Sequence, residues 1–257
     1  MPEVMVGETK VHYLETKGRT GEEGMKVVFV HGSGGNAHLW RKVMDGLSDE
    51  CGSLAIDLPG HGESAGQGMK RIPEYREFLK HFLDAIGLEA IVLGGHSLGG
   101  GIVQDFALTY PEKLRAILLM GTGARLRVLP QTLERTRRMA DGEIEPKFDP
   151  WGFAAGAFPE VLAEGEREWS KTSSLVRYRD LLACDEFDIM GEVEKIRLPA
   201  LIVCGREDRL TPVKYSEYLN RKIAGSKMEV IEGAGHMLML EEPHALSGGI
   251  LRFLDSL

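Results

Sequence analysis

The chain has 257 residues, a formal net charge of −8 and 43% hydrophobic content. That content suffices for a packed core and excludes a disordered chain. The length suits one large α/β domain or two small ones, and the acidic balance argues against nucleic-acid partners, whose phosphates require clustered Lys and Arg.

Cys51, Cys184 and Cys204 are the three cysteines, odd in number and far apart, with no C-x-x-C pair; they read as buried free thiols. The start, Met1-Pro2-Glu3-Val4-Met5, does not look like a signal peptide. No apolar run approaches the roughly 20 residues that span a bilayer. A cytoplasmic protein with no membrane partner is expected.

In chain order, residues 4–6 and 11–14 flank Gly7-Glu8-Thr9-Lys10 as a hairpin. Residues 17–24 are polar and glycine-rich, a loop. Lys26-Val27-Val28-Phe29-Val30 reads as a central strand covered on both faces, followed by His31-Gly32-Ser33-Gly34-Gly35 and by Ala37, Leu39, Trp40, Val43, Met44 and Leu47 at helical spacing. A strand over 53–56 runs into Asp57-Leu58-Pro59-Gly60-His61-Gly62-Glu63-Ser64. Tyr75, Phe78, Leu79, Phe82, Leu83 and Ile86 predict a helix stopped by Gly87. Residues 90–93 form the next strand, then Gly94-Gly95-His96-Ser97-Leu98-Gly99-Gly100, a helix over 102–108 and a strand over 116–120. This alternation predicts an α/β fold, a mostly parallel central sheet with helices on both faces.

Residues 122–196 break the rhythm. They hold no strand-like run, only aromatics (Trp151, Phe153, Phe158, Trp169, Tyr178, Phe187) scattered among charges at helical spacings, and they are too long for a structureless loop. We expect a helical cap inserted into a core formed by residues 1–121 and 197–257, with the aromatics mostly serving as cap core. Arg125, Arg127, Arg135, Arg137 and Arg138 read as a solvated helix face rather than a receptor for an acidic substrate. The strand pattern resumes over 200–204, followed by Gly205-Arg206-Glu207-Asp208, a helix over 213–223, a strand over 228–231, Gly235-His236 and a helix over 243–254.

Gly95-His96-Ser97-Leu98-Gly99 is a Gly-x-Ser-x-Gly element between a strand and a helix, a corner that exposes the serine above the sheet. Ser97 is therefore the candidate nucleophile. A serine hydroxyl needs a base and a group that orients the base. In a parallel sheet the polar strand ends converge on one edge. His236 is the candidate base and Asp208 the candidate acid, in the order Ser, Asp, His. Glu207, Asp185 and Asp188 are the competing carboxylates. Asp57, His61 and His31 read as structural groups that satisfy loop backbone.

A nucleotide site is the competing interpretation. Gly32-Ser33-Gly34-Gly35-Asn36-Ala37 fits G-x-G-x-x-A, with Asp57 about twenty residues on. That interpretation leaves Ser97, Asp208 and His236 unused, and the Pro59-Gly60-His61-Gly62 turn is foreign to it.

Taken in order, His31 to Gly35, Asp57 to Ser64, Gly95 to Gly100, Gly205 to Asp208 and Gly235-His236 resemble the motifs of the α/β-hydrolase superfamily in its capped, serine esterase-like branch. The resemblance implies an oxyanion hole formed by the backbone N–H groups of Ser33 and Leu98. It implies a two-step hydrolysis of carboxylic esters through an acyl-enzyme, acting on a small-molecule ester with no metal or organic cofactor. Enol-lactonases, carbon–carbon hydrolases, thioesterases and cofactor-free perhydrolases share the same triad. A ligand receptor on this scaffold is the non-enzymatic alternative.

Overall fold

The computed structural model describes residues 2–18 and 25–257; residues 19–24 of the expected 17–24 loop lie outside the described residues. Eight strands form one sheet: β1 (Glu3–Val6), β2 (Thr9–Thr16), β3 (Lys26–Val30), β4 (Gly52–Ile56), β5 (Ile91–His96), β6 (Leu114–Met120), β7 (Ala200–Gly205) and β8 (Lys227–Ile231). Their spatial order is β1-β2-β4-β3-β5-β6-β7-β8. β2 pairs antiparallel with β1 and β4, while β3 to β8 pair parallel throughout. The carboxyl ends of β3, β4, β5, β7 and β8, which lead into His31, Asp57, Ser97, Asp208 and His236, therefore lie on one edge.

The helices are α1 (Arg41–Leu47), α2 (Ile72–Ala85), α3 (Leu98–Thr109), α4 (Pro130–Ala140), α5 (Pro159–Ser170), α6 (Ser174–Glu186), α7 (Val213–Lys222), the single turn α8 (Leu238–Glu241) and α9 (Pro243–Leu254). Side chains alternate between the two faces of a strand, and the sheet separates two apolar layers accordingly. Val28, Val30, Leu93, Ile117, Leu119 and Ile202 point to the layer under α2, α3 and α7. Val27, Phe29, Val92, Leu118, Leu201 and Val203 point to the layer under α1, α8 and α9. Phe29 stacks on Trp40 there, ring centroids 4.6 Å apart. Burial on both faces explains why these strands read as continuous apolar runs.

Several boundaries differ from the sequence reading. The hairpin turn is only Gly7-Glu8, because Thr9 and Lys10 already pair with Val6 and Met5. The apolar residues after Gly35 form a 3-10 turn (Ala37–Trp40) before α1, and α3 begins at Leu98, directly after the serine. The turn α8 carries no sequence signal separable from the loop beside it.

Between β6 and β7 lie α4, α5, α6 and short 3-10 turns; the β-pairing found there is one isolated bridge, Arg125 to Asp188. The aromatics of this segment divide. Phe153 and Phe187 are buried, whereas Trp151 and Phe158 stand 56% and 68% exposed, which corrects the expectation that they serve mainly as core. Arg125, Arg127, Arg135, Arg137 and Arg138 each form an ion pair, with Asp188, Asp185, Asp149, Glu134 and Glu143 among their partners. All three cysteines are free and buried. Among the described residues, no helix is long and apolar enough to cross a membrane.

Candidate active site

The site begins at the corner between β5 and α3. Ser97 holds φ 53° and ψ −115°, a strained conformation for a residue with a Cβ. Its backbone is fixed on both sides: the N–H donates to Met120 O at 3.0 Å, and the C=O accepts from Thr122 Oγ1 at 2.9 Å. The flanking glycines are required by space. A Cβ on Gly95 would overlap the Gly99 carbonyl, and one on Gly99 would overlap the carbonyls of Val30 and His31. The close approach of α3 to β5 at Gly95 and to the end of β3 at Gly99 therefore depends on two residues without side chains.

His236 follows β8, in a loop bound tightly to its surroundings. Its Nδ1–H donates to Asp208 Oδ2 at 2.8 Å, with both side chains buried. That bond leaves Nε2 as the basic nitrogen. Asp208 follows β7 and accepts further hydrogen bonds from Leu210 N (2.8 Å), Thr211 N (2.8 Å) and Thr211 Oγ1 (2.7 Å). Burial alone would raise its pKa, but His236 and the Thr211 donors outweigh burial and hold the carboxyl well below the usual range. The competing carboxylates are occupied elsewhere. Glu207 accepts from Ala155 N at 3.1 Å, Asp185 from Val128 N at 3.0 Å and Asp188 from Met190 N at 3.2 Å.

His96 joins the serine to the histidine. Its Nε2–H donates to the His236 carbonyl at 2.9 Å and the two rings lie 4.5 Å apart. Burial and the neighbouring imidazole push its pKa well below the ordinary value, so it remains a neutral support. On the far side of His236, Glu241 accepts from Gly235 N (3.1 Å), Met237 N (3.0 Å) and Ala154 N (2.7 Å), while His236 N donates to Gly152 O at 2.6 Å. The histidine loop is thereby tied to the segment between β6 and β7.

Two backbone N–H groups remain beside Ser97. Leu98 N–H opens α3 and has no intrahelical acceptor, and it lies at the positive end of the helix dipole. Ser33 N–H donates to no group among the described residues; within its loop the bonds run from Gly35 N to Gly32 O and from Gly34 N to Asp180.

The groups read as structural have clear partners. Asp57 accepts from Ala37 N (2.6 Å), Glu63 N (2.9 Å) and His12 Nδ1 (2.7 Å), so it is spent on loop architecture rather than on a ribose. His31 donates from Nδ1 to Gly32 O at 2.8 Å and accepts Leu58 N–H on Nε2 at 3.1 Å, and burial lowers its pKa to about 4. His61 reaches beyond its own turn, to Asp180 at 2.8 Å. Asp180, Glu241, Thr211 and Tyr75 are absent from the sequence-derived site. Asp180 alone had a usable signal, a carboxylate among the buried positions Val176, Ala183 and Cys184 of α6. Among the described residues, no cluster of His, Cys, Asp and Glu is arranged to hold a metal ion.

A parallel sheet with this corner at its centre defines an α/β hydrolase. The sequence model of the Alpha/beta hydrolase family matches residues 27–248, and the chain belongs to that family. It is similar to a thermophilic esterase from Thermogutta terrifontis solved with malate bound, at 26% identity and a TM-score of 0.86, covering 99% of this chain and 98% of that one. The enol-lactonase from Burkholderia xenovorans LB400 has the same fold, with a TM-score of 0.87 at 23% identity over 99% of this chain and 100% of that one. A pimeloyl-[acyl-carrier protein] methyl ester esterase of Neisseria meningitidis serogroup B is 27% identical over 250 residues, covering 90% of this chain and 93% of the relative.

Proposed function

We propose that the protein is a serine hydrolase of carboxylic esters. The observation that carries this reading is the buried His236–Asp208 bond of 2.8 Å, with the His236 ring 4.5 Å from that of His96, the residue before a serine held in a strained elbow. Ser97 Oγ attacks the ester carbonyl while His236 Nε2 takes its proton. Asp208 keeps the imidazole in the tautomer that leaves Nε2 basic, and it stabilises the imidazolium. The N–H groups of Ser33 and Leu98 hold the oxyanion of the tetrahedral intermediate. His236 returns the proton to the departing alcohol, then deprotonates a water that attacks the acyl-enzyme and releases the acid. Residues 122–196 act as a cap over the core formed by 1–121 and 197–257, so that the cap chooses which ester reaches Ser97. The esterase names of the Thermogutta and Neisseria relatives support ester hydrolysis as the reaction class.

The test is labelling with a fluorophosphonate probe, with mass spectrometry of the modified peptide, alongside turnover of p-nitrophenyl esters. Label on Ser97 and its loss in Ser97→Ala, with activity down roughly 10⁴–10⁶-fold, is the expected result. Labelling retained in Ser97→Ala would remove the serine assignment. A stoichiometric burst without continued release would identify a receptor instead.

A further inference from the structure

The helix α6 carries a carboxylate inside its apolar stripe. Val176, Asp180, Ala183 and Cys184 are all buried, and Asp180 is fully closed to solvent. A charge is retained at such a place only when hydrogen-bond donors fill its lone pairs. Asp180 Oδ2 accepts from Gly34 N at 2.8 Å and His61 Nε2 at 2.8 Å, with Ser33 Oγ at 3.5 Å, and Oδ1 accepts from Tyr75 OH at 2.5 Å. His61 Nδ1 faces Pro59 O at 3.1 Å, so both ring nitrogens face acceptors and carry protons. The donors come from the loop after β3, the turn after β4 and the helix α2. A single side chain of the inserted segment thus gathers three elements of the core.

One of those elements is the loop that holds Ser33. Gly34 has φ +67°, a left-handed conformation, and its N–H is aimed at Asp180. The peptides on either side of Ser33 share its Cα, so fixing the Gly34 N–H also restricts where the Ser33 N–H points. Arg177, one turn earlier on α6, lays its stem against Gly34, where a Cβ would stand 2.6 Å from Arg177 Cγ. Its guanidinium stacks over Trp169 at 3.8 Å and donates to Trp169 O at 2.6 Å. The helix therefore holds the loop by both a hydrogen bond and a packing contact.

We propose that Asp180 is a positioning residue for the oxyanion hole: by accepting the Gly34 N–H it aims the Ser33 N–H at the reacting carbonyl, so the inserted helix forms part of the catalytic apparatus. This rests on the assignment of Ser97 as nucleophile and of Ser33 N–H as an oxyanion donor. Asp180→Asn is nearly isosteric but loses the charge that orders Gly34, His61 and Tyr75. It should slow phosphonylation of Ser97 by a fluorophosphonate and lower kcat on aryl esters, each by roughly tenfold or more, against the about 10²–10³-fold loss when a donor itself is removed. KM should move less than kcat.

The discriminating readout is the preference for an oxo-ester over the matching thionoester. Sulfur accepts hydrogen bonds poorly, so a well-aimed oxyanion hole favours the oxo-ester, and the ratio should shrink in Asp180→Asn. An unchanged ratio and an unchanged phosphonylation rate, with activity falling only in step with thermal stability, would reduce Asp180 to a structural residue and overturn the proposal. Tyr75→Phe, which removes one donor and keeps the carboxylate, should shrink the ratio in the same sense and serves if Asp180→Asn folds poorly; a ratio equal to wild type in that variant would then overturn the proposal. Wild-type protein unlabelled at Ser97 would instead remove the nucleophile assignment and this proposal with it.

Discussion

Ser97 occupies its half-buried position at the elbow at a cost in backbone strain, of order 1–3 kcal/mol for a residue held in such a region, and its bonds to Met120 and Thr122 keep it there. Asp208 makes a different investment. Its carboxylate is saturated by one imidazole, one hydroxyl and two backbone N–H groups. Replacing it by Asn leaves the shape intact but offers His236 Nδ1 the wrong partner, so Asp208→Asn should lower kcat by roughly 10⁴-fold with an unchanged circular dichroism spectrum. Asp188→Asn should leave kcat within a few-fold, because among the described residues the polar partners of that carboxylate are Met190 N and, at 3.7 Å, Arg125. The opposite ranking in steady-state kinetics would transfer the role of acid to Asp188.

At the scale of elements, the decisive contact is the first turn of α3 against the end of β3. A Cβ at Gly99 would meet backbone carbonyls, which cannot rotate away as a side chain can. Gly99→Ala should therefore lift α3 from the sheet, costing about 1–3 kcal/mol as overpacking does. It should also displace Leu98 N–H, with up to about 10²-fold lost in kcat from misplacement. Urea denaturation and ester kinetics on the one variant measure both effects; full activity at reduced stability would separate the elbow from the proposed oxyanion donor. This contact was legible in the sequence, since Gly-x-Ser-x-Gly marks where strand and helix must nearly touch. The clamp of Glu241 on Gly235, Met237 and Ala154 was not, because its bond to Ala154 reaches a segment 87 positions away and follows no local spacing.

For the molecule as a whole, the buried pairs His61–Asp180 and His236–Asp208 set opposite pH limits. Burial opposes charge on His61, but Asp180 outweighs it and raises the imidazole pKa. The stabilisation from that pair is thus complete below the unfolded value of about 6.5 and is lost as pH rises through the higher folded value. Asp208 has a lowered pKa, so its contribution is present above the unfolded value of about 3.9 and is lost as pH falls. Thermal midpoints across pH should show a flatter alkaline limb in His61→Gln and a flatter acid limb in Asp208→Asn than in wild type. An alkaline limb unchanged in His61→Gln would mean that this imidazole carries no extra proton in the folded state.

The sequence by itself determined the parallel sheet, the helices flanking it and the strand ends where Ser97, Asp208 and His236 stand, because periodicity, glycine turns and strand-end chemistry are local properties of the chain. It also marked residues 122–196 as a break in the alternation of strand and helix. Only the tertiary structure decided which of four carboxylates meets His236, since Glu207 and Asp208 are neighbours in sequence and point to different partners. The same holds for the attachment of the segment between β6 and β7 to the proposed site through Asp180, Glu241 and Gly152. These contacts join residues up to 147 positions apart, and no periodicity encodes which buried donor a distant carboxylate will satisfy.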